Sequence, residues 1–483
     1  MEAKSSVTDI WQERWNRDTR KEGFSPTSTF PSTEEDIPIQ PEDRSAPECQ
    51  AGAPLRPKPR SLQDLGLPEI FVADLVLKHC FYLKVFTLTE LRDRLKLPPT
   101  VISDLLEYLQ KEEYLEIRGP DPFKPACNTL GLSNRYALTN GGNKRAAQLL
   151  EYDAYVGPVP VSLEDYWQQV EVQSLKFTPV TPARLSQAFE GLVLSPEMLE
   201  KLGPASVSGK PLFLYGPPGN GKTSIAQRMG QVWDDAILVP YAIYVEGNVI
   251  RVFDEITHRP LPTGDNTNGG NGNGANGNGE CDHRWVPCFR PTVIVGGELT
   301  VDMMDLSFNP TMKYYEAPLQ LKANNGLFIV DDLGRQRIPA QELLNRWIIP
   351  LENHQDFLCL HTGQKFAIPF DQFIIFATNL EPQALMDAAF LRRIRAKVKV
   401  NHVTREQYQE IFHLVCQQHQ MDPNGEAVEY LLTNYYDGGQ RSMDACHPRD
   451  LIELIVDYST FHGISPSLSQ ENINRACGIY FVE

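Results

Sequence analysis

The stretch Pro211-Leu-Phe-Leu-Tyr-Gly-Pro-Pro-Gly-Asn-Gly-Lys-Thr-Ser224 constrains what this chain can fold into more than any other. Leu212 to Tyr215 form a continuous apolar run, the pattern of a strand buried on both faces in a parallel sheet. The run stops at Gly216. The loop Gly216-Pro217-Pro218-Gly219-Asn220-Gly221 then leads into Lys222-Thr223-Ser224, which opens a helix. This is G-x-x-x-x-G-K-[ST] with a strand before it and a helix after it, the context that separates a phosphate cradle from an incidental glycine-rich turn. The glycines permit a tight loop whose backbone N–H groups converge on phosphate oxygens. The helix start adds unpaired donors and a partial positive charge. Lys222 is expected to reach the β- and γ-phosphates of a nucleotide, and the Thr223 hydroxyl to take a Mg²⁺ position.

A length of 483 residues accommodates two or three domains and a large buried core. The net charge of −17 argues against a general nucleic-acid coat, although a local basic patch is compatible with it. Nine cysteines lie scattered without a repeated framework, as expected in a reducing compartment. Met1 to Gly23 is polar and charged, unlike a signal segment, and no apolar run reaches the length of a membrane span. The expectation is a cytoplasmic protein with no membrane partner.

Residues 1–62 are rich in Pro, Ser, Thr and Glu and poor in aliphatics, so they are expected to be a disordered tail. A short helix around Asp9 to Arg20, carrying Trp11 and Trp15, is the one exception considered, as a docking peptide or a transient helix. Regular structure is expected from about residue 65. Glu69 to Phe81 has helical periodicity, with Ile70, Leu75, Val76 and Cys80 among its apolar positions. Thr87-Leu-Thr-Glu90 is a capping box for a second helix, and Val101 to Gln110 reads as a third. Tyr114–Arg118 and Arg135–Leu138 read as strands, and a helix runs from Thr139 to about Glu151. Helix-turn-helix followed by two strands resembles a winged-helix domain over residues 65–152. Its third helix exposes Asp104, Glu107, Lys111, Glu112 and Glu113, and carboxylates repel phosphates. Protein recognition is therefore favoured over DNA. Arg118, Lys124, Arg135, Lys144 and Arg145 keep the DNA alternative open.

Residues 153–182 read as a connector with one helix from Leu163 to Val172. A nucleotide-binding core follows at 183–400 and a helical lid at 401–483. Within the core, the Asn/Gly run at 265–279 is expected to be a surface insertion. Cys281, His283 and Cys288 lie beside it at irregular spacing, a poor zinc set. A hairpin is expected from Tyr241 to Phe253, turning at Glu246-Gly-Asn.

Further apolar runs end in polar groups. Leu327-Phe-Ile-Val330 gives way to Asp331-Asp332, and Phe373-Ile-Ile-Phe-Ala precedes Thr378-Asn379. Beyond lie Ala389-Phe-Leu-Arg392-Arg393 and, in the helical C-terminal region, Pro448-Arg449-Asp450-Leu451. With the glycine loop, these ordered motifs resemble the AAA+ ATPase family over about residues 180–480. The resemblance implies an α/β P-loop core with parallel sheet and helical lid, binding ATP and Mg²⁺. It implies that Asp331 holds the metal, Asp332 polarises the attacking water, and Asn379 orients that water as sensor 1. It further implies that Arg392 or Arg393 is an arginine finger reaching a neighbouring subunit's nucleotide. Arg449 would contact phosphates as sensor 2, and the working form would be a ring, commonly a hexamer. Gly191-Leu-Val-Leu occupies the position where the family packs adenine.

This chain departs from the family in having Asp332 where glutamate is usual, a carboxylate one methylene shorter. Slow turnover or a nucleotide-gated switch would follow. Lys313-Tyr314-Tyr315 falls near the aromatic pore loop of substrate-threading members; the competing reading is that these rings pack an insertion onto the core. Arg335 and Arg337 after the second strand are open to phosphate-responsive, interface or ordinary surface roles. The leading expectation is an ATP hydrolase that remodels an unidentified protein partner recruited by the N-terminal domain. The alternatives are a DNA-associated switch or loader, and an assembly scaffold with little turnover.

Overall fold

A computed structural model describes residues 56–120, 134–262, 281–386, 388–437 and 441–481. Trp11 and Trp15 lie outside the described residues, as does the Asn/Gly run at 265–279.

The centre is a five-stranded sheet built from β1 (Leu212–Tyr215), β2 (Thr292–Val295), β3 (Leu327–Val330), β4 (Phe373–Thr378) and β5 (Ala396–Lys399). Every neighbouring pair is parallel, and the spatial order is β2-β3-β4-β1-β5. The apolar runs are continuous because both faces are covered. Leu212, Leu214, Leu327, Ile329, Phe373 and Ile375 share one core with Ile225, Ala226 and Met229. The intervening Phe213, Phe328, Val330, Ile374 and Phe376 share another with Leu343, Leu344 and Trp347. The first covering helix is α1 (Lys222–Met229) and the second α2 (Ala340–Asn353). Burial at about 25 cal/mol per Å² of apolar surface makes these two layers the main stabilising term. Tyr215 pairs with Thr378, and Val330 with Phe376, so the strands end along one edge. Ligands in such sheets bind outside the C-terminal strand ends, where the order reverses.

The C-terminal region folds around its own core, which includes Tyr408, Phe412, Leu431, Leu432, Ile452 and Ile473. Its helices are Arg405–Gln418, Gly425–Tyr435, His447–Phe461 and Gln470–Tyr480. The first opens on a capping box between Thr404 and Gln407. Among the described residues, no helix is long and apolar enough to cross a membrane.

At the N-terminal side, helices Glu69–Leu83, Leu88–Leu95 and Pro99–Lys111 pack on an antiparallel sheet of Val85–Thr87, Asn134–Leu138 and Leu115–Pro120. Thr87 and Glu90 form the capping box: Thr87 N–H donates to the Glu90 carboxylate at 2.7 Å, and Glu90 N–H to the Thr87 hydroxyl at 3.4 Å. Ile70, grouped by periodicity with Leu75 and Val76, is instead 67% exposed. It sits in the first turn, where the core has not yet closed around the helix.

Two boundaries and the packing of one hairpin differ from expectation. First, the tail does not extend to residue 62 without partners. Arg56 pairs with Asp165, its guanidinium lies 5.2 Å from the Trp285 ring centroid, and its carbonyl accepts from Asp282 N–H at 2.9 Å. Secondly, residues 153–182 are not a free connector. Val159 and Val161 are fully buried, and Val161–Ser162 adds a parallel strand to Ala242–Val245. Thirdly, the hairpin Ala242–Val245/Asn248–Arg251 turns as expected, with positive φ at Glu246 and Gly247. Its Ala242 and Val249, however, share the core of the N-terminal helices, and Phe71 meets Tyr244 at 4.5 Å between centroids. A second five-stranded sheet joins this hairpin to Ser307–Phe308, Tyr315–Glu316 and Val161–Ser162.

That sheet decides the role of Lys313-Tyr314-Tyr315. Tyr315 is 1% exposed and tilts against Phe308 at 4.9 Å. Tyr314 meets Tyr155 edge-on at 5.7 Å, and Lys313 donates to the Glu151 carbonyl. These rings pack the inserted sheet and are not presented to a pore.

Candidate active site

The phosphate-loop candidate lies between β1 and α1, and each of its glycines has a geometric reason. Gly216 has φ +140°, and a Cβ there would lie 2.1 Å from the Val400 carbonyl oxygen. Gly219 (φ +77°) would bring a Cβ within 2.8 Å of Cys446 Sγ. Gly221 (φ +79°) is the left-handed residue immediately before α1. Pro217 and Pro218 form the outer part of the loop, and Ser224 is exposed on the first turn of α1. The Lys222 ammonium donates to the carbonyls of Gly216 at 3.0 Å and Pro217 at 2.7 Å, bridging the loop from inside. Burial lowers its pKa, against the opposing pull of Asp332, Asp331 and Asp444.

Three distant pieces of chain meet at this edge. Thr223 Oγ1 donates to Asp331 Oδ2 at 2.8 Å, joining residues 108 positions apart. Asn379 Nδ2 donates to Asp332 Oδ1 at 3.1 Å. Thr378 Oγ1 donates to the Leu333 carbonyl at 2.7 Å, and Leu333 N–H to the Ala377 carbonyl at 2.8 Å, which locks the turn after β3 to the end of β4. Asp332 is exposed and has φ +49°, so its carboxylate stands on a left-handed backbone at the mouth of the site. A glycine cradle, an ammonium, a hydroxyl and paired carboxylates fit a Mg²⁺–nucleotide: Gly216, Gly219 and Gly221 all have positive φ and leave the loop backbone bare, and the oxygen donors suit a hard cation.

The basic residues are placed differently. A short helix, α3 (Ala388–Arg393), ends in the two arginines. Arg392 is exposed, whereas Arg393 pairs with Glu352 at 2.7 Å. Arg449, in the first turn of α4 (His447–Phe461), points along its own helix towards Asp450 at 3.2 Å and Glu453 at 3.8 Å. Among the described residues its ion pairs are to its own helix and not to the loop.

The C-terminal region touches the loop through residues that sequence reasoning missed. Asp444 accepts from Asn220 Nδ2 at 2.9 Å and contacts His402 Nδ1 at 2.6 Å. Ala445 N–H donates to Asn220 Oδ1 at 3.2 Å, and Cys446 N–H to the Gly219 carbonyl at 2.9 Å. A separation of 224 residues carries no periodicity or spacing that would pair Asn220 with Asp444. Cys288 is buried with its thiol at 3.5 Å from the Val286 carbonyl.

Comparison with known proteins adds the following. Residues 404–479 match a family model described as a Domain of unknown function (DUF8689). The chain is 50% identical over 44 residues to the vesicular-fusion protein Sec18 of Saccharomyces cerevisiae, which is 9% of this chain and 6% of that protein. Among solved structures, it is similar to NtrX from Brucella abortus in complex with ADP, with a TM-score of 0.36 and 13% identity, covering 60% of this chain and 56% of that one. It is also similar to the Thermotoga maritima RuvB Holliday junction branch migration motor, with a TM-score of 0.32 and 12% identity, covering 59% and 68%.

Proposed function

We propose that this chain is an ATP hydrolase of the AAA+ type that couples hydrolysis at a subunit interface to the remodelling of a protein partner. The observation that carries the reading is the 2.8 Å bond from Thr223 to Asp331, set beside the 3.1 Å bond from Asn379 to Asp332. The Thr223 hydroxyl at the start of α1 thereby meets two carboxylates and an amide that follow the adjacent strands β3 and β4, a grouping that suits in-line phosphoryl transfer. The sheet order and the helical C-terminal region agree with this family.

Each residue then has a task. Gly216, Gly219 and Gly221 present backbone N–H groups to the phosphates. Lys222 exchanges its two carbonyl contacts for phosphate oxygens, where its charge counters the charge that develops on transfer. Thr223 and Asp331 hold Mg²⁺, which when bound neutralises phosphate charge and orders the triphosphate. Asp332 accepts the proton of the attacking water, and Asn379 fixes both that carboxylate and the water. Arg392 is exposed at the end of α3, and a ring of subunits would use it against a neighbouring nucleotide. Arg449 would have to give up its contacts to Asp450 and Glu453 to reach the phosphates.

For partner choice, Asp104, Glu107, Glu112 and Glu113 are all exposed on or just after helix Pro99–Lys111, the helix that a winged-helix domain would offer to DNA. Their charge favours a protein partner. The test is hydrolysis of ATP by the full chain. Lys222→Ala should abolish nucleotide binding, and Asp332→Asn should bind ATP without turning it over. Undiminished turnover in Asp332→Asn would remove that residue from its role. Salt-dependent duplex binding by the full chain would instead support the DNA reading.

A further inference from the structure

Gln336 lies between the exposed Arg335 and Arg337, yet it is itself only 9% exposed. Its carboxamide fills the turn that follows β3. Oε1 accepts from Gly334 N–H at 2.7 Å. Nε2 donates to the carbonyls of Asp331 at 3.1 Å and Asp332 at 3.2 Å, and approaches the Gly296 carbonyl at the end of β2 at 3.5 Å. One side chain thus ties both acidic residues to the neighbouring strand. The turn needs such a tie, because Asp332 (φ +49°) and Gly334 (φ +102°) both have left-handed backbone that must be held by its surroundings. The opposite side is already secured, since Leu333 is bound to β4 through Ala377 and Thr378.

We propose that Gln336 is a positioning residue for the reaction: it sets where the Asp331 and Asp332 carboxylates stand relative to Thr223 and Asn379. The inference rests on the ATPase reading. Neither acid can keep its side-chain bond if its own carbonyl swings, because both bonds, at 2.8 Å and 3.1 Å, depend on backbone placement. A Gln336→Glu change keeps the acceptor for Gly334 and places a carboxylate where two carbonyls expect a donor. A Gln336→Met change keeps length and volume and removes every hydrogen bond.

The test uses the full chain and two independent readouts: a fluorescent ATP analogue titrated without metal and then with increasing Mg²⁺, and steady-state hydrolysis of ATP. Both variants should bind the analogue without Mg²⁺ within about threefold of wild type, because the glycine loop is untouched. Both should need about tenfold more Mg²⁺ for the metal-dependent gain in affinity, and kcat should fall about tenfold or more. Wild-type Mg²⁺ requirement and kcat in both variants would overturn the proposal. So would an equal loss of metal-free binding, which would mark Gln336 as part of the general fold. If wild type binds Mg²⁺–nucleotide without turnover, the ATPase reading fails alone, and the Mg²⁺ titration still decides the role of Gln336.

Discussion

Asn220 of the glycine loop donates to Asp444 of the C-terminal region at 2.9 Å, and the same carboxylate contacts His402 at 2.6 Å. Asp444 therefore ties the loop to both the chain leaving the sheet and the segment entering α4. Removing a charged acceptor of this kind costs about 1–3 kcal/mol. Asp444→Ala is expected to leave the helices of residues 404–480 folded on their own core while loosening their seat on the loop. Hydrogen exchange should show faster exchange at Ala445 and Cys446, with the amides of β1 and β4 unchanged. Unchanged exchange at Cys446 would show that the latch is redundant.

Gly216 and Gly221 have different reasons to be glycine. Gly216→Ala drives a Cβ to 2.1 Å from the Val400 carbonyl, whereas a Cβ at Gly221 meets nothing within 4 Å. The second change is expected to cost only the left-handed backbone penalty, about 1–2 kcal/mol. The first must also shift β5 or the loop, and should cost more and abolish nucleotide binding. Urea unfolding of the two variants compares them. Equal losses would mean that the loop relaxes away from Val400.

Local features were legible in the sequence. The runs Leu327–Val330 and Phe373–Thr378 are strands because they are apolar on both faces, and Thr87 caps its helix through a residue three positions on. Contacts between distant segments were not. The sequence favours packing over a pore role for Tyr315 without deciding it, because its partners Phe308 and His361 are brought to it only by the fold. Arg449 follows the motif in order, but its direction depends on Asp450 and Glu453, which carry the neighbouring charge along the helix. Gln336 carries no sequence signal, since glutamine acquires its role only from the two carbonyls folded around it.

The join between residues 173–178, the strand Trp285–Phe289 and β3 depends on Arg290. Its side chain is 2% exposed and pairs with Asp235 at 2.6 Å. It also donates to the carbonyls of Gln173 at 3.0 Å and Asn325 at 2.6 Å. Burial raises the Asp235 pKa, but the Arg290 hydrogen bonds and charge outweigh it, and the net shift is downward. Arg290→Leu strands that carboxylate and should cost about 3–5 kcal/mol. Adding Asp235→Leu should recover part of the loss, as a double-mutant cycle in urea unfolding would show. No recovery would place the value of Arg290 in its carbonyl contacts instead.

Two buried histidines give the fold a pH dependence of definite sign. Burial lowers the pKa of His79 from 6.5 to about 4, although Nε2 bonds to the Gly157 carbonyl at 2.9 Å; His258 is lowered to about 4 by the same cause. Each folded-state pKa lies below its unfolded value. Between pH 6.5 and 4 the unfolded chain therefore binds a proton that the folded chain refuses, and stability falls as pH falls through that window. At 1.36 kcal/mol per pKa unit, each histidine contributes a loss of about 3 kcal/mol by pH 4 and about 2 kcal/mol by pH 5. His79→Gln keeps a donor for the Gly157 carbonyl and removes the titrating group. Its unfolding free energy should drop less than that of wild type between pH 7 and 5, by about 2 kcal/mol. Identical pH slopes for the two proteins would mean that His79 takes up its proton while folded.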